Sequence, residues 1–532
     1  MPKLTWQGKE QVLHHHLDVP FHLLKKQYDF VADDNKPTNR TDNILIHGDN
    51  LTALKSLLPE FGGRVNCIYI DPPYNTGNEN WVYNDNVNDP RIQKWLGEVV
   101  GKEGEDFSRH DKWLCMIYPR LKLLKELLAD NGVIFISIDF ANEEAYLKCI
   151  CDEIFGRSNF IGEFTWESTT QPINSGSARF GLQQKSEAIL FYAKNKTNLN
   201  QFILKEVESG LHYPHEGQLG KCRFEIIEKS DAGEYQRDTM KFPILGLYPR
   251  EGKRWQIGLD TANELLKNNR LEIVDGLVKR AFYPEDEIDK RKFQPFWSHL
   301  SASQFGTAQS GKELLNTIMG RAVGFDTVKP VELITELLSY FDKNALILDS
   351  FMGSGTTAHA VLSLNQQDGG NRRFIGIEMM DYAETITAER IRCVINGYGT
   401  KAETQGGTGG GFSFYTVGEP LFYGDNLNPT APITAIREYI GYTEGMDEIW
   451  HTDNGVSPHA LGVANGTAYV FYYLQNQVTT LDLAFLQSLS PKGFVQRPES
   501  WVIYADKVAL SPEQLKQYHI VFKRIPRDIS KF

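Results

Sequence analysis

Two short segments of the chain carry residue types that could do chemistry. The first is Asp71-Pro72-Pro73-Tyr74, and the second, much later, is the glycine-rich run at 349–357. The Asp71 carboxylate and the Pro72 carbonyl could each accept one hydrogen of an exocyclic amino group, such as that of adenine, and so polarise its nitrogen. Proline fixes φ near about −65° and has no N–H, which would hold that carbonyl pointing into a site. With a Tyr74 ring able to stack on a base, the segment predicts action on an amino group of a nucleic-acid base.

The first segment follows an apolar run at 64–70 that predicts a buried strand. Asp71 would then stand at the carboxyl end of a parallel strand, where open α/β sheets bind their ligands. A plain turn, with Tyr74 on the surface, is the alternative. The polar and aromatic stretch at 78–86 predicts an exposed loop that either closes over a base or simply faces solvent. A second mobile loop is expected at 169–184, which is rich in Ser, Gly and Gln.

The second segment predicts a cofactor site. Residues 345–348 predict a strand, and a glycine-rich turn from Asp349 to Gly355 follows it. Without Gly353 and Gly355, side chains would fill the space that the amino-acid or sugar part of a cofactor needs. Glu378 ends the next predicted strand and could accept hydrogen bonds from ribose hydroxyls. No phosphate-binding Gly-Lys-Ser/Thr motif is present, so ATP hydrolysis is disfavoured.

The order of the two segments is the reverse of the usual one, yet one sheet can accommodate it. We number the predicted strands from first to fifth as 345–348, 374–377, 44–47, 65–70 and 132–138. In the spatial order 3-2-1-4-5, the first and fourth strands are neighbours, so the glycine turn lies beside Asp71. Asp49, after the third strand, would then lie where the adenine ring of a cofactor rests. A further strand is predicted at 188–192.

Composition fits a large enzyme of about three domains, since the chain has 532 residues, of which 41% are hydrophobic and 23% charged. The net charge of −12 is unusual for a DNA-binding protein, but nucleic-acid contact needs only a local basic face. The six cysteines have no paired spacing, which argues against zinc modules and disulfides. The histidines at 14–16 have no second ligand cluster nearby, so no metal is expected. With no signal peptide or membrane-spanning run visible, we expect a cytoplasmic protein.

Several of these segments together resemble a known family. The segments at 48–51, 68–77, 135–139 and 329–334 are similar to the beta group of S-adenosylmethionine-dependent DNA amino-methyltransferases, and specifically to the modification (Mod) subunit of type III restriction–modification systems. The likeness extends from about residue 20 to 414, with a further similar segment at 522–526. It is interrupted at 205–300, where family members diverge because they recognise different DNA sequences.

The resemblance implies methylation of adenine N6, because Asp rather than Ser begins the Asp71 tetrapeptide. It implies S-adenosylmethionine as cofactor and a base flipped out of double-stranded DNA. It also implies that Lys329 and Pro330 help to form the pocket for the methionine part, although Lys329 could instead begin a helix and extend into solvent. The residues expected to bind the cofactor are Asp49, Asp71, Lys329, Asp349, Phe351, Gly353, Ser354, Gly355, Thr356 and Glu378.

The diverging region is the expected target-recognition domain. Its basic residues alternate with aromatic ones, a pattern that suits phosphate contact and base stacking. Acidic residues intervene, so solvated charged faces explain any single cluster equally well. The residues expected to contact DNA are Arg250, Lys253, Arg254, Lys279 and Arg280.

The sequence predicts five segments: an N-terminal extension at 1–40, a catalytic half at 41–200, the recognition domain at 201–300, a cofactor-binding half at 301–405 and a C-terminal module at 418–532. A glycine-rich hinge at 406–411 would precede that module. By analogy with the family, the module is expected to serve dimerisation or docking of a restriction helicase–nuclease subunit. The module's aromatic residues either pack in its own core or form a surface shared with a second subunit.

The sequence thus predicts an α/β, Rossmann-like methyltransferase fold with circularly permuted motif order, an inserted recognition domain and a small C-terminal α/β module. The predicted function is site-specific methylation of adenine N6 in duplex DNA. Two alternatives stay open. One is methylation of cytosine N4, and the other is a catalytically idle subunit that keeps the fold to bind DNA.

Overall fold

The computed structural model describes residues 3–32, 42–74, 106–171, 182–207, 212–232, 237–290, 292–325, 327–451, 455–490 and 497–527. The chain divides into two compact units, Met1–Ile203 together with Trp297–Phe532, and Leu204–Phe296. We refer to the first as the main unit and to the second as the inserted unit. The loop predicted at 78–86 lies outside the described residues, as does most of the loop predicted at 169–184. The predicted domain boundaries stay predictions.

The main unit contains a ten-stranded sheet flanked by helices. Its strands are β1 (His22–Val31), β2 (Ile44–His47), β3 (Val65–Ile70), β4 (Leu128–Asp139), β5 (Phe160–Trp166), β6 (Glu187–Ala193), β7 (His299–Leu300), β8 (Leu346–Asp349), β9 (Arg373–Glu378) and β10 (Gly411–Pro420). Its helices are α1 (Lys9–Val12), α2 (His15–Asp18), α3 (Asn50–Phe61), α4 (Asp106–Leu127), α5 (Glu144–Cys151), α6 (Ala302–Phe305), α7 (Ala308–Met319), α8 (Val331–Leu338), α9 (Thr356–Asp368), α10 (Glu389–Asn396) and α11 (Ala402–Gln405). Short π-helical turns cover Asp152–Gly156 and Ala383–Ala388, and 3-10 turns cover Arg157–Asn159 and Lys196–Asn198.

The strand order places the two predicted segments side by side. It is β1-β10-β2-β9-β8-β3-β4-β6-β5-β7, and all neighbours from β10 to β4 are parallel. The central five strands therefore follow the predicted 3-2-1-4-5 order, which is confirmed. Strand β8 pairs with β3 in the register Ile347 to Cys67 and Leu348 to Ile68. Both strands end at the same edge of the sheet, so Asp349 and Asp71 are neighbours there.

Continuous apolar runs explain why these strands occupy the centre of the sheet. Ile68, Ile70, Ile347 and Leu348 are each at most 1% exposed, as expected for parallel strands that helices cover on both faces. Helices α3 and α4 pack against each other, and α8 packs against α9. Each such buried aliphatic side chain contributes about 1.5–3 kcal/mol to folding, so the centre of the sheet is held together by its apolar core.

Backbone hydrogen bonds tie two further stretches to the main unit. The segment predicted as an N-terminal extension contains β1, which pairs antiparallel with β10. The glycine-rich stretch at 406–411 is not a hinge. Thr408 N donates to the Val394 carbonyl at 3.0 Å, Gly409 N donates to the Ile395 carbonyl at 3.0 Å, and Gly411 begins β10. The prediction of a hinge was therefore wrong, because these glycines return the chain from α10 to the sheet.

The inserted unit has a small core of its own. Its strands are Lys205–Val207, His215–Gly217, Gly220–Ile226, Glu228–Ser230, Lys253–Trp255, Leu271–Val274, Leu277–Phe282 and Lys292–Gln294, its helix is Leu259–Lys267, and 3-10 turns cover Asp238–Met240 and Pro284–Lys290. Four of the strands form an antiparallel sheet. Trp255, Ile244, Leu271 and Val278 pack together in its core, and none of them is more than 2% exposed.

The C-terminal module continues the main unit after β10. It comprises β11 (Phe422–Tyr423), β12 (Asn426–Leu427), α12 (Ile433–Thr443), β13 (Ala460–Ala464), β14 (Thr467–Phe471), β15 (Thr480–Leu481), α13 (Leu483–Ser488), β16 (Ser500–Ala505), β17 (Lys507–Val508), α14 (Pro512–Gln517) and β18 (Ile520–Arg524). Strands β14, β16 and β18 are parallel. Phe471 and Tyr473 are buried and stacked, and Tyr472 stacks on Phe485 at 3.9 Å. These aromatic residues thus pack largely within the module.

The described residues contain neither a membrane-spanning helix nor a cluster of metal ligands. None of the helices in this part of the chain is both long and apolar enough to cross a membrane. No group of three or more His, Cys, Asp or Glu side chains in the described ranges is arranged to hold a metal ion. Within the predicted histidine run, burial lowers the pKa of His16 to about 4, so this ring is neutral.

Candidate active site

The edge formed by the carboxyl ends of β2, β9, β8 and β3 collects four of the predicted acidic residues. Asp349 and Glu378 are the last residues of β8 and β9, and Asp71 directly follows β3. Asp49 follows β2 and caps α3, where its Oδ2 accepts a hydrogen bond from Thr52 N at 2.8 Å. Adjacent parallel strands bring these carboxylates together, as the sequence predicted from the strand order.

Lys329 lies at the centre of a cluster of polar groups beside this edge. Its Nζ donates to both carboxylate oxygens of Asp71 at 2.9 Å and to the Tyr74 hydroxyl at 2.7 Å, and it lies 3.2 Å from Glu187 Oε2. The side chain is only 9% exposed, which excludes the alternative of a lysine extending into solvent. Burial lowers the pKa of Lys329, but attraction by Asp71 and Glu187 outweighs it and leaves the pKa raised. Lys329 is therefore a fixed ammonium group.

Tyr74 is held by its hydroxyl. The hydroxyl donates to Glu187 Oε2 at 2.8 Å while it accepts from Lys329, and the Lys329 Nζ lies 4.9 Å from the centre of the Tyr74 ring. Burial raises the pKa of Tyr74 well above its usual value, and the charges of Asp71 and Glu187 raise it further. The phenol is therefore neutral, and its orientation is fixed by two partners.

The two prolines of the tetrapeptide have different roles. The Pro73 carbonyl accepts a hydrogen bond of 2.7 Å from the Nε1 of Trp113, which is fully buried on α4. No residue in the described ranges donates a hydrogen bond to the Pro72 carbonyl. The second carbonyl thus anchors the segment, while the first keeps its acceptor capacity for an incoming amino group.

The two glycines of the cofactor turn are required for different reasons. Gly353 has φ of +52°, and a Cβ there would meet only the Phe351 carbonyl oxygen, at 3.9 Å, so open space lies in front of it. Gly355 has φ of +87°, and a Cβ there would meet Thr387 and Ile391 at 3.4 and 3.6 Å. A side chain at Gly353 would therefore project into free space, whereas one at Gly355 would press on the protein itself.

Asp349 and Glu378 are buried carboxyl groups whose pKa values are raised to near neutral pH. Asp349 accepts hydrogen bonds from Phe351 N at 2.9 Å and Thr357 Oγ1 at 2.5 Å, and burial raises its pKa to about 7. Glu378 accepts from Gly353 N at 2.7 Å, and burial likewise raises its pKa to about 7. A positively charged ligand next to these groups would favour their ionised forms.

A buried arginine that the sequence analysis missed fixes the start of α9. The Nη1 of Arg390, on α10, donates to Ser354 Oγ at 2.9 Å and to Thr356 Oγ1 at 2.8 Å. Arg390 is 0% exposed, and burial lowers its pKa to about 10. Ser354 and Thr356, both predicted as cofactor residues, therefore use their hydroxyls within the protein. The sequence signal that could have identified Arg390 is that a charged residue interrupts the apolar pattern of α10.

Asn50 and Arg120, which the sequence analysis did not assign to the site, connect the Asp49 loop to the cofactor turn. Asn50 Nδ2 donates to the Ser350 carbonyl at 3.2 Å, and Asn50 Oδ1 accepts from Arg120 Nε at 2.5 Å. Both Asn50 and Arg120 are 0% exposed. Arg120 follows a proline within helix α4, one of several basic residues in that helix, so its burial gave no sequence signal of a site.

The residues at this edge fit the cofactor that the resemblance implies. Open space lies in front of Gly353, and the buried Ser350 Oγ has no hydrogen-bond partner among the described residues. Phe351 is 4% exposed and packs in the main core, so it supports the turn from behind. Carboxylates around this space suit a ligand that carries positive charge and hydroxyl groups, as S-adenosylmethionine does.

In the inserted unit, three of the five predicted DNA contacts have acidic neighbours. Arg250 Nε lies 2.7 Å from Glu228, Lys279 Nζ lies 2.8 Å from Asp275, and Arg254 Nε lies 3.8 Å from Asp231. Lys253 begins the strand Lys253–Trp255 and faces Ser230 in its pairing. These acidic partners support the alternative of solvated charged faces for Arg250, Lys279 and Arg254.

Arg280 differs from these residues. Its guanidinium lies 4.5 Å from the centre of the Phe282 ring, and its buried Nε has no hydrogen-bond partner among the described residues. Arg223 lies against the same ring at 4.6 Å, but it is paired with Glu287 and Glu225. Of these two arginines, Arg280 is therefore the one that forms no ion pair among the described residues.

The sequence matches a family profile described as DNA methylase, of the N6/N4 type, over residues 65–389. It is 33% identical over 419 residues to the Mod subunit of the type III restriction-modification enzyme EcoPI of Escherichia phage P1, covering 70% of this chain and 63% of that protein. It is also 33% identical to the StyLTI Mod subunit of Salmonella typhimurium, covering 63% and 52% of the two chains. The type II methyltransferase M.KpnI of Klebsiella pneumoniae is 31% identical, covering 69% and 88%.

The similarity to type III Mod subunits that the motifs indicated is thereby confirmed. The matched regions span 63% and 52% of the length of the first two relatives. Among solved structures, TTHA0409 of Thermus thermophilus, a putative DNA modification methylase complexed with S-adenosylmethionine, gives a TM-score of 0.33 at 15% identity, covering 70% of this chain and 99% of that one. The cytosine-N4-specific PvuII DNA methyltransferase gives 0.35 at 12% identity, covering 67% and 89%.

Proposed function

Since the chain belongs to the N6/N4 DNA methylase family, we propose that it is a site-specific DNA methyltransferase that transfers a methyl group from S-adenosylmethionine to N6 of adenine. The observation that carries the proposal is the parallel pairing of β8 with β3, which brings Asp71 and Pro72 to the same sheet edge as the turn that contains Gly353. An amino-group clamp and a cofactor turn at one sheet edge are what direct transfer between two bound molecules requires.

The residues of this chain would act by binding and orienting. Asp71 and the Pro72 carbonyl accept the two hydrogens of the amino group, while the Tyr74 ring stacks on the flipped base. The space at Gly353 and the carboxylates of Asp349 and Glu378 hold the cofactor. When bound, S-adenosylmethionine would supply a methyl group activated by a positively charged sulfur. No covalent intermediate with the protein is needed, because the amino nitrogen would attack the methyl carbon directly. The charge of Asp71 would stabilise the positive charge that this nitrogen gains.

The resemblance to the family favours adenine over cytosine, because Asp at the first position of the tetrapeptide is typical of adenine enzymes and Ser is typical of N4-cytosine enzymes. Asp71 offers its carboxylate to the amino group of the base, and the ammonium group of Lys329 holds that carboxylate in place. An idle DNA-binding subunit would have no need of an ionised acceptor facing an open cofactor space. The intact Asp71, Tyr74 and Gly353 thus support an active enzyme.

For recognition, we propose that the inserted unit contacts double-stranded DNA and that Arg280 is its principal contact among the five predicted residues. A guanidinium that stacks on an aromatic ring, and that forms no ion pair within the part of the chain that the structure describes, is suited to a phosphate or to the acceptor edge of guanine. Lys253, Arg254, Arg250 and Lys279 would add attraction for the DNA backbone.

We further propose that the enzyme is the modification subunit of a type III-like system in the cytoplasm, with a restriction subunit as partner and a homodimer as its working form. The names of the relatives support the first part, since four of them are type III Mod subunits. The dimer rests on family analogy alone. A full-length protein that is monomeric in light scattering at micromolar concentration and still methylates DNA would contradict it.

The function is tested by expressing the protein in a host without DNA methylation and sequencing the host DNA with a readout for modified bases. We expect N6-methyladenine within one short recognition sequence, and none when Asp71→Ala is expressed at the same level. If the readout showed N4-methylcytosine instead, the target base would be cytosine and not adenine. A protein that binds S-adenosylmethionine but leaves the DNA unmodified would be an idle subunit.

A further inference from the structure

Glu187 belongs to none of the predicted motifs, yet it contacts two residues of the site. It is the first residue of β6, which runs antiparallel to β4, and Asp139 is its partner in that pairing. Its side chain is 17% exposed. The Oε2 atom accepts the Tyr74 hydroxyl at 2.8 Å and lies 3.2 Å from Lys329 Nζ.

The cluster contains more negative than positive charge. Asp71 and Glu187 are two carboxylates around the single ammonium of Lys329, and Tyr74 is neutral. If Glu187 were uncharged, Lys329 would be attracted to Asp71 alone and would neutralise the acceptor that the amino group needs. The Tyr74 hydroxyl would also lose the acceptor that sets the direction of its O–H. Glu187 thus restrains both residues at once.

We propose that Glu187 is a positioning residue for methyl transfer. It holds Lys329 between two carboxylates, so that Asp71 keeps acceptor capacity for the amino group, and it fixes the Tyr74 ring at one stacking orientation. Its charge also leaves the cluster with a net charge of −1, which favours the positive charge that moves from the cofactor sulfur to the base nitrogen. This inference rests on the proposed function.

The consequence for kinetics differs from that of a structural residue. The charge balance acts on the transition state, in which the nitrogen forms a bond to carbon while the sulfur–carbon bond breaks and the electron pair stays on sulfur. The methylated nitrogen then releases one of its two hydrogens as a proton, through the Asp71 carboxylate, to solvent. Loss of the Glu187 charge should therefore lower kcat more than it weakens substrate binding. By comparison with the loss of single electrostatic groups in other active sites, we expect about a 10- to 100-fold decrease in kcat.

The test is Glu187→Gln, which keeps the size of the side chain and one acceptor oxygen. Glu167→Gln is the matched control, because Glu167 directly follows β5 and its carboxylate is bound to Lys185 at 3.1 Å and to Ala302 N at 3.0 Å. We expect Glu187→Gln to reduce single-turnover transfer about 10- to 100-fold, with cofactor affinity within about threefold and a nearly unchanged melting temperature. Glu167→Gln should transfer methyl groups like the wild type.

Three results would overturn the inference. A rate of methyl transfer by Glu187→Gln equal to that of the wild type would show that the charge of Glu187 has no role. Parallel losses of melting temperature, cofactor affinity and kcat would show a structural role only. If Glu187→Gln does not fold, Tyr74→Phe removes the hydroxyl from the same Oε2 contact, and a normal kcat in that variant would contradict the positioning of Tyr74. A wild-type protein that transfers no methyl group to any base contradicts the proposed function instead, so the two failures are distinguishable.

Discussion

Asp71→Ala should remove catalysis while leaving most of the fold and the cofactor site intact. The structure allows both effects to be estimated. Asp71 forms a charge-assisted contact with the buried Lys329, and such contacts contribute about 1.5–3 kcal/mol. The Asp71 side chain is 30% exposed and Lys329 retains Glu187 and Tyr74, so about 1–2 kcal/mol of unfolding free energy is the expected loss. That corresponds to a melting temperature lower by a few degrees.

The effect on transfer should be much larger. Asp71 is the charged acceptor of the amino group, and loss of a preorganised electrostatic group of this kind costs about 3–4 kcal/mol in the transition state, or at least about 10²- to 10³-fold in rate. We would measure transfer of a labelled methyl group to DNA under single-turnover conditions, and cofactor affinity by titration. Affinity should stay within a few fold, because the contact acts chiefly on the reacting nitrogen.

Asp139→Asn is the matched control for this experiment. Asp139 ends β4, next to β3 in the sheet, but its carboxylate accepts hydrogen bonds from Asn142 N at 3.3 Å and Asn142 Nδ2 at 2.6 Å. Its replacement should change the rate less than about threefold, since these contacts stabilise only the local turn. A folded Asp71→Ala protein with near-normal transfer would refute the assignment of the amino-group clamp.

Three further predictions concern the cofactor turn, the DNA contacts and pH. Gly353→Val should abolish cofactor binding in a titration, because its side chain would enter the open space, whereas Gly355→Ala should chiefly lower the melting temperature; unchanged affinity in Gly353→Val would make the turn structural only. Arg280→Ala should weaken DNA binding about 10-fold or more, or, if Arg280 contacts a base, relax the specificity for the methylated sequence. Arg250→Ala is the control and should have little effect, because Arg250 is paired with Glu228. Equal effects of the two substitutions would contradict the special role of Arg280. Asp349 and Glu378 both have pKa values raised to about 7 by burial, so ionising them costs folding stability as pH rises from about 4 to 7. A cationic cofactor should lower these pKa values, so calorimetry near pH 7 should detect proton release on binding and tighter binding at higher pH. Both effects should be larger for S-adenosylmethionine than for S-adenosylhomocysteine, which lacks the sulfonium charge. Equal proton release with the two ligands would contradict this prediction.

The sequence predicted the part of the site that parallel strands determine. Apolar runs located the strands before Asp71, Asp349 and Glu378, and the 3-2-1-4-5 order then brought these residues to one edge. Such prediction works because a buried parallel strand has a continuous apolar pattern and a polar residue where it ends.

What the sequence did not predict depends on contacts between distant elements. Glu187 reaches Lys329 only because β6 runs antiparallel beside β4. The sequence shows that Glu187 precedes an apolar strand, but it does not show which strand will lie next to it in the sheet. The glycines at 406–411 were misinterpreted as a hinge because composition shows only that the backbone is free to turn. Their hydrogen bonds to residues of α10 decide what that freedom is used for.

The central claim is that this chain moves a methyl group from S-adenosylmethionine to adenine N6 through Asp71. The most direct measurement uses purified protein, duplex DNA and S-adenosylmethionine with a deuterated methyl group, followed by digestion to nucleosides and mass spectrometry. We expect N6-methyladenine that carries the label with the wild-type protein, and at least about a hundredfold less with Asp71→Ala. Label in N4-methylcytosine, or equal labelling of adenine by both proteins, would contradict the claim.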